Sequence, residues 1–412
     1  MQVVYERCAG LDVHKDTVVA CVMISTAKGT ATHEVRTFGT MTRDLEALGA
    51  WLAAAQVEQV ALESTGVYWW PVFNILEEAG LALTLVNPRQ TKALPGRKTD
   101  VGDAVWLADL LRHGLVRASF IPPAAIRALR EVTRYRATQV RARAREVHQL
   151  LKTLESANLK LASVATDPVG ASGWQMLRAV SAGEDDPQAL AQMAKAGLRA
   201  KLAALEEAFI GRVKPHHRLL IRVSLDHIRF LERTIEQLDR EVEHAMAPFA
   251  AAQAALVTVP GIGAVAAAAI VAEIGVAMER FPTERHLASW AGLCPGNKQS
   301  GGTRLHGATT NGDVWLRRIL GEVAWAAIHD RRSVFRARYY RLKPRLGAKQ
   351  ALVAIMHQLL KVIYHLLKTG EPYRELGLDY YHPAAPQRTA RRLTKRLERL
   401  GYTVTLTPAP AA

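Results

Sequence analysis

The sequence contains few cysteines for its length. Three of them, Cys8, Cys21 and Cys294, occur in 412 residues, and they are far apart and odd in number. This excludes a disulfide framework and any CxxC zinc module, and it fits a reducing cytosol. No secretory signal is expected, because Glu6 and Arg7 occupy the position of its apolar stretch. We therefore expect a cytoplasmic protein.

Long uninterrupted apolar runs are also missing, although one stretch needs a test. Residues 245–272 carry no charge and exceed the roughly 20 residues of a bilayer-spanning helix. The stretch is mostly alanine, which gains little from lipid, and Pro260, Gly261 and Gly263 interrupt it midway. These features argue against a membrane protein.

Several catalytic signatures are absent. The sequence has no HExxH, GxSxG or kinase motif, and Ala308 stands where the P-loop-like segment 302–309 would need lysine. Nucleotide hydrolysis is therefore not expected. The PGIG segment at 260–263 follows strand-like residues and resembles a dinucleotide fingerprint, but its context is helical. A helix–PGIG–helix hairpin that offers backbone N–H groups to a nucleic-acid phosphate fits better, and a plain tight turn is the third alternative.

Negative charge is scarce in the later part of the chain. The net charge of +16 divides into −2 over residues 1–123, +5 over 124–250 and +13 over 251–412. A basic surface attracts polyanions by counterion release. The densest window, 331–349, has eight cations, no acid and interleaved aromatic residues. This pattern suits phosphates and stacked bases, or else a solvated helix face.

The first 123 residues show the pattern of an α/β domain. Apolar alternation and β-branched residues predict strands at 2–13, 16–25, 31–38, 57–63 and 82–87, and helices at 42–55, 66–79 and 101–112. The order βββαβαβα predicts a central mixed sheet flanked by helices. We expect this domain to span 1–123.

Residues 124–250 form a helical region. A seam of apolar positions steps by three and four residues, which predicts a coiled-coil hairpin or a dimer arm; it consists of Ile221, Ser224, Ile228, Leu231, Ile235, Leu238 and Val242. The weaker partner helix is expected at 126–161, and 170–187 reads as a break between helices. A third unit follows at 251–370, and a basic extension with a tail occupies 371–412.

Carboxylates in the first domain suggest a metal site. Asp12 and Glu63 end two predicted strands, and Asp100 and Asp103 lie three residues apart at a helix start. Four acids that converge would need hard cations, and oxygen ligands select Mg²⁺ or Mn²⁺ for phosphoryl transfer. Each acid also has an ordinary alternative. Asp100 could cap its helix with Asp103 in the first turn, Asp12 could serve a turn, and Glu63 could be a polar strand end.

The glycine-rich segment 292–313 contains a candidate nucleophile. Lys298, Arg304 and His306 surround Ser300, which lies between Gln299 and a glycine. Flanking cations could stabilise a serine alkoxide and hold a phosphodiester. A structural turn serine is the alternative.

The motifs GLDVHK, ALESTG, NPRQTKALPGRKTDVGDA, VPGIG and GLCPGNKQSGG resemble those of the DEDD-type insertion-sequence transposases, which are bridge-RNA-guided recombinases. The resemblance implies a RuvC-like, ribonuclease-H-type domain at 1–123 with Asp12, Glu63, Asp100 and Asp103 as its metal-binding tetrad. It implies a mainly helical C-terminal transposase domain with Ser300 as covalent nucleophile. No motif aligns after about residue 335.

The resemblance also implies partners and a reaction. Donor and target DNA, a guide RNA from the element's flank and a second copy of the chain, as dimer or tetramer, are expected in the bacterial cytoplasm at the nucleoid. Strands would be cut and rejoined through a phosphoserine, in a site composed from two subunits. A metal-dependent nuclease or junction resolvase without a covalent serine, and a non-catalytic nucleic-acid-binding scaffold, stay as alternatives.

Overall fold

The computed structural model describes residues 2–25, 30–63, 66–87, 100–294, 298–300, 303–305, 309, 312–375, 377 and 393–407. The chain divides into two compact units, Met1–Ile121 and Pro122–Ala412. The predicted division of the later residues into separate regions stays a prediction.

The first unit has the predicted element order. Its elements are β1 (Arg7–Val13), β2 (Thr17–Ser25), β3 (Ala31–Gly39), α1 (Thr42–Ala54), β4 (Gln59–Glu63), α2 (Trp69–Glu78), β5 (Leu83–Val86) and α3 (Asp100–Arg112). The sheet order is β3-β2-β1-β4-β5. The first three strands pair antiparallel, while β1, β4 and β5 run parallel, so the sheet is mixed as predicted.

Both faces of this sheet are covered. Alternate residues of the strands pack with α1 and α2 in one core cluster, which includes Leu11, Leu48 and Leu76. The opposite face packs against α3 through a second cluster that includes Cys8 and Ala108. Strands of period two with helices on both sides explain why the central strands read as nearly continuous apolar runs.

The second unit is mainly helical in its described part. Its helices are α4 (Ala124–Ser156), α5 (Leu161–Val164), α6 (Ala171–Ala182), α7 (Pro187–Gln192), α8 (Leu202–Phe209), α9 (Pro215–Met246), α10 (Ala250–Val257), α11 (Ala264–Ile274), α12 (Glu284–Trp290), α13 (Val314–His329), α14 (Val334–Leu346) and α15 (Ala348–Thr369). A short antiparallel pair, β6 (Lys298–Ser300) and β7 (Thr303–Leu305), lies between α12 and α13.

Helices α4 and α9 pack on each other as an antiparallel pair, which we call the hairpin, although α5 to α8 lie between them in the chain. Ion pairs join Arg136 to Asp239 and Arg143 to Glu232, so the residue number rises along one helix as it falls along the other. The predicted seam is buried within the chain at five of its positions, and the rest of it is partly buried; the buried five are Ile221, Ser224, Ile228, Leu231 and Val242. The seam therefore holds the hairpin together, and self-association stays a prediction.

The predicted break at 170–187 was wrong, because most of it forms α6. Gly170 is the residue before the helix, and Gly183 ends it in the left-handed conformation at φ 117°. Met176, Leu177 and Val180 lie on one side of α6 and are buried in the hairpin's core. The glycines thus bracket a helix rather than interrupt one.

The uncharged stretch 245–272 is divided between α9, α10 and α11, with PGIG in the turn between the last two. Residues Ala255–Val257, read as strand-like, are helical, which removes the basis of a dinucleotide fingerprint. Gly261 has φ 87°, and a Cβ there would overlap the backbone of α13 at Val323 and Ala327. Close packing on α13 therefore explains this glycine.

Helix α15 is long and apolar enough to cross a membrane by length and composition. It is also a packing element of the second unit, with Ile355, Leu359 and Ile363 fully buried. Its Tyr364 hydroxyl donates a hydrogen bond of 3.0 Å to the carbonyl oxygen of Phe281. These contacts are those of a core helix.

Candidate active site

Asp12 and Glu63 lie on neighbouring parallel strands at the same edge of the sheet. The register pairs Gly10 of β1 with Ala61 of β4 and Leu11 with Leu62, so Asp12 comes next to Glu63. Gly10 and Ala61 face α3, and residues two positions further along a strand share that face. Both carboxylates therefore belong to the α3 side of the sheet, at the carboxyl ends of their strands.

Helix α3 brings the other two predicted acids toward this face. A Cβ at Gly10 would overlap the carbonyl oxygen of Ala104 and the amide of Ala108, so α3 crosses directly over β1. Asp103 precedes Ala104 and is exposed, and Asp100 begins the helix. Among the side chains that the structure describes, no group of three or more His, Cys, Asp or Glu residues is arranged to hold a metal ion, and the Asp100 side chain is outside that set.

A histidine next to Asp12 was not predicted as part of the site. His14 Nε2 lies 3.0 Å from Asp12 Oδ2, and the imidazole is about half exposed while the carboxylate is mostly covered. The signal was present in the motif GLDVHK, because residues two apart on an extended chain share a face. This contact orients the Asp12 carboxylate.

Four exposed apolar side chains lie on chain segments near the same edge. Val67 and Tyr68 lie in the connection from β4 to α2, Trp70 lies in the first turn of α2, and Met41 follows β3, whose carboxyl end lies at this edge because β3 runs parallel to β1. Their exposed fractions are 63%, 41%, 38% and 76%. Large apolar groups exposed to water at this end of the sheet indicate a binding surface.

Ser300 lies at the end of β6, where it pairs with Thr303 of β7. Lys298 and Arg304 belong to the same strand pair, opposite Leu305 and Gln299. His306 lies outside the described residues. The candidate nucleophile is thus on a short antiparallel pair between two helices of the second unit.

The segment that carries Ser300 is closed at its base by tight backbone packing. A Cβ at Gly312 would overlap the backbone of Ala291 and Gly292, so the chain returns to within van der Waals contact of the point where it left α12. Asp313 then caps α13, and its Oδ1 accepts a 2.7 Å hydrogen bond from the amide of Leu316. The two ends of the segment are therefore fixed.

An ionic cluster buried beneath this base was also missed. Arg134 binds Glu273 through both carboxylate oxygens and reaches Asp313 Oδ2 at 3.2 Å, and Arg130 donates to the carbonyl oxygens of Ala272 and Glu273. Burial raises the pKa of Glu273, and the hydrogen bonds from Arg134 oppose that shift. The signal in the sequence was a single acid at the end of the uncharged stretch 245–272.

Two parts of the sequence match family models of transposases. A family model of DEDD transposases of the IS110 type matches residues 9–159, and a model of the IS116/IS110/IS902 transposase family matches residues 253–340. The two matches together span more than half of the chain and include Asp12, Glu63, Asp100, Asp103 and Ser300. The chain belongs to the IS110 family of transposases.

Relatives of this transposase carry related names. A probable family 20 transposase of Pseudomonas aeruginosa is 27% identical over 76% of this chain and 85% of its own length. The pilin gene-inverting protein of Moraxella bovis is 30% identical over 36% of this chain and 48% of its own. The RuvC structure of Thermus thermophilus aligns with 27% of this chain and 99% of its own at 16% identity, and its TM-score of 0.23 is too low to establish a shared fold. The family match and these relatives together identify the chain as a DNA transposase/recombinase.

Proposed function

We propose that this transposase cuts and rejoins the DNA strands of an insertion sequence through a covalent phosphoserine at Ser300, under the direction of an element-encoded guide RNA. Its first unit is the RuvC-like, ribonuclease-H-type domain that holds the metal. The observation that carries the metal part of the proposal is the placement of Asp12 and Glu63 side by side at the carboxyl edge of β1 and β4. The family match at 253–340 supports the role of Ser300.

The acids fit a hard divalent cation. Their ligands are carboxylate oxygens, which favour Mg²⁺ or Mn²⁺ over softer metals. Asp12, Glu63, Asp100 and Asp103 would hold the ions, which would supply charge neutralisation at the phosphate and at the attacking and leaving oxygens. His14 keeps the Asp12 carboxylate in position through its 3.0 Å contact. The exposed apolar groups at this edge would cover bases next to the phosphate that reacts.

Ser300 performs the bond exchange. Oγ attacks phosphorus and a phosphoserine ester forms while the bond to one strand oxygen breaks; the proton that the serine hydroxyl gives up ends on this leaving oxygen, which becomes a strand hydroxyl. The hydroxyl of another strand then attacks the phosphoserine, which releases Ser300 and joins the strands. Each step replaces one phosphate ester with another, so rejoining needs no ATP, in agreement with the missing P-loop lysine.

The basic second unit binds donor DNA, target DNA and the guide RNA. The window 331–349 forms α14 with the residues on either side of it, where Arg336 lies 4.9 Å from the ring centre of the exposed Tyr340. Cations beside exposed aromatic rings suit phosphates and stacked bases. We further propose that the active site is composed from two copies of the chain, as dimer or tetramer, in the cytoplasm.

The proposal is tested with the purified full chain. RNA that co-purifies is sequenced and compared with the flank of the element, and the complex is incubated with labelled element-end DNA and Mg²⁺. A denaturing gel should show a protein–DNA adduct and a rejoined product. Metal-dependent cleavage without adduct would support a nuclease instead, and binding without cleavage would support a scaffold.

A further inference from the structure

A pocket of about 380 Å³ lies at the base of the hairpin, among helices α4, α9, α11 and α13. We refer to it as the Trp315 pocket. Its walls are largely small apolar side chains, which include Ala137 and Val140 on α4 and Ala266 and Ala269 on α11. Its volume and apolar lining distinguish it from a simple surface depression.

Three guanidinium groups surround the indole of Trp315. The Cζ atoms of Arg141, Arg318 and Arg134 lie 4.6, 5.5 and 5.6 Å from the ring centre. All three arginines line the pocket, together with Arg136. An aromatic ring with cations at its face is an arrangement that binds bases and phosphates together.

The arginines of the pocket differ in their partners. Arg134 is bound to Glu273, and Arg136 is bound to Asp239. Arg141 and Arg318 are exposed and form no ion pair with any carboxylate in the described part of the chain. Arg141 also donates a 2.9 Å hydrogen bond from Nε to the carbonyl oxygen of Ala137. The two positive charges therefore have no carboxylate partner in the described part of the chain and can bind an anionic ligand.

The geometry points to the Trp315 pocket as a binding site for one unpaired nucleotide of a nucleic-acid strand, whose base enters the apolar interior while Arg141 and Arg318 bind the flanking phosphates. The lining carries four arginines against Glu273 and Glu322, so the net charge of the site is positive. An acidic backbone with a flat apolar base complements it. A protein side chain would need the apolar interior alone and would leave the two exposed cations unused.

This inference goes beyond the proposed function, because it is tested by binding and needs no strand cleavage. The full chain, freed of co-purified nucleic acid, is titrated into labelled oligothymidylate of about twelve nucleotides, the matching oligouridylate, and a duplex. Fluorescence anisotropy gives the affinities. A 2-aminopurine placed within the single strand reports whether a base leaves its stacked neighbours.

Variants that fill the pocket should act on single strands. Ala266→Leu and Ala137→Leu add volume from opposite walls and leave every charge in place, so each should weaken single-strand binding by about five- to 150-fold, the range for one stacked base. Each should remove the 2-aminopurine signal and leave duplex binding unchanged. Ala264→Leu is the matched control, since Ala264 is exposed on the same helix and does not line the pocket.

The charge variant acts differently. The double variant Arg141→Gln with Arg318→Gln should reduce the slope of log affinity against log salt concentration by the equivalent of about two charges. The control pair Arg178→Gln with Arg199→Gln, elsewhere in the second unit, should leave the 2-aminopurine signal intact. If the filled variants lose affinity for oligothymidylate alone, the nucleotide in the pocket belongs to DNA, and if they lose affinity for oligouridylate alone, it belongs to RNA. Parent-like binding by both filled variants, or an equal loss for the duplex, would overturn the proposal. If the filled variants change the oligomeric mass but not single-strand binding, the pocket would instead be a contact with a second copy of the chain, and the proposal would be overturned as well.

Discussion

Arg134 on α4 donates two parallel hydrogen bonds to the carboxylate of Glu273 on α11, 2.8 Å from Nε to Oε1 and 2.7 Å from Nη2 to Oε2. The same Nη2 lies 3.2 Å from Asp313 Oδ2, at the end of the segment that carries Ser300. One guanidinium therefore connects the hairpin, the helix after PGIG and the base of the candidate nucleophile's segment. Paired, bidentate geometry is what makes a buried charge tolerable.

Glu273→Gln should destabilise the second unit by about 3 kcal/mol, because it removes the bidentate carboxylate partner of Arg134 and leaves Asp313 as the carboxylate in contact with that guanidinium. Urea unfolding followed by circular dichroism measures the change. Glu322→Gln is the control, since Glu322 is exposed on α13. Equal stability of the two variants would mean that the cluster contributes nothing to the fold.

Gly312→Ala should disturb the segment of Ser300 without unfolding the hairpin. The added Cβ meets the backbone of Ala291 and Gly292, which cannot move aside as a flexible side chain would. We expect adduct formation to fall at least about tenfold, corresponding to about 1.4 kcal/mol, while the thermal midpoint of the hairpin stays near that of the parent. Gly321→Ala is the matched control, because nothing lies near its added Cβ.

The sheet could be predicted from the sequence because its signal is local. Strands with period two and short connections gave the order βββαβαβα, and the acids at the strand ends followed from it. The pairing of Asp12 with Glu63 needed only the rule that parallel strands end at one edge. His14 could have been added from its spacing to Asp12 alone.

The second unit was harder to predict because its decisive contacts are distant in sequence. Glycines such as Gly170 and Gly183 are typical of a break between helices, yet here they cap α6. The burial of Met176 and Val180 in the core shows why the residues between them form a helix. The seam of α9 predicts a partner but not whether the partner lies in the same chain. The reason for Gly261 is the backbone of α13, more than 60 residues away.

Ile228→Asp should destabilise the hairpin, because Ile228 is fully buried in its core and a charge there costs several kcal/mol. The expected result is a lower thermal midpoint and a loss of helical circular dichroism. Phe230→Asp is the control on the same helix, since this residue is 57% exposed. An unchanged thermal midpoint for Ile228→Asp would contradict the packing of the hairpin. The oligomeric mass of Phe230→Asp shows whether the exposed face of α9 joins copies of the chain.

Asp103→Asn should abolish strand exchange and keep the fold, because it removes one charge and almost no volume from an exposed position. Mn²⁺ binding followed by electron paramagnetic resonance should weaken in parallel. Asp109→Asn, on the same helix but ion-paired with Arg112, should retain both properties. Normal exchange by Asp103→Asn would remove this acid from the tetrad.

Ser300→Ala provides the sharpest test of the covalent mechanism. A serine nucleophile leaves a phosphodiester between protein and DNA, whereas a metal-activated water leaves none. The variant should lose both the adduct and the rejoined product on a denaturing gel. It should still bind nucleic acid, because the basic surfaces of the second unit are unchanged.

The controls for Ser300 come from the same region. Ser289→Ala should be nearly neutral, because Ser289 is exposed on α12. Thr303→Ala changes the residue paired with Ser300 on β7, and Thr309→Ala removes the hydroxyl that accepts a 3.2 Å hydrogen bond from Arg317. Thr310, which lies outside the described residues, serves as a further hydroxyl control.

Ser300→Cys should retain at most a trace of cleavage, since a thiolate can attack but differs in geometry and metal preference. Full recombination by Ser300→Ala would refute the phosphoserine and leave metal-dependent hydrolysis as the better account.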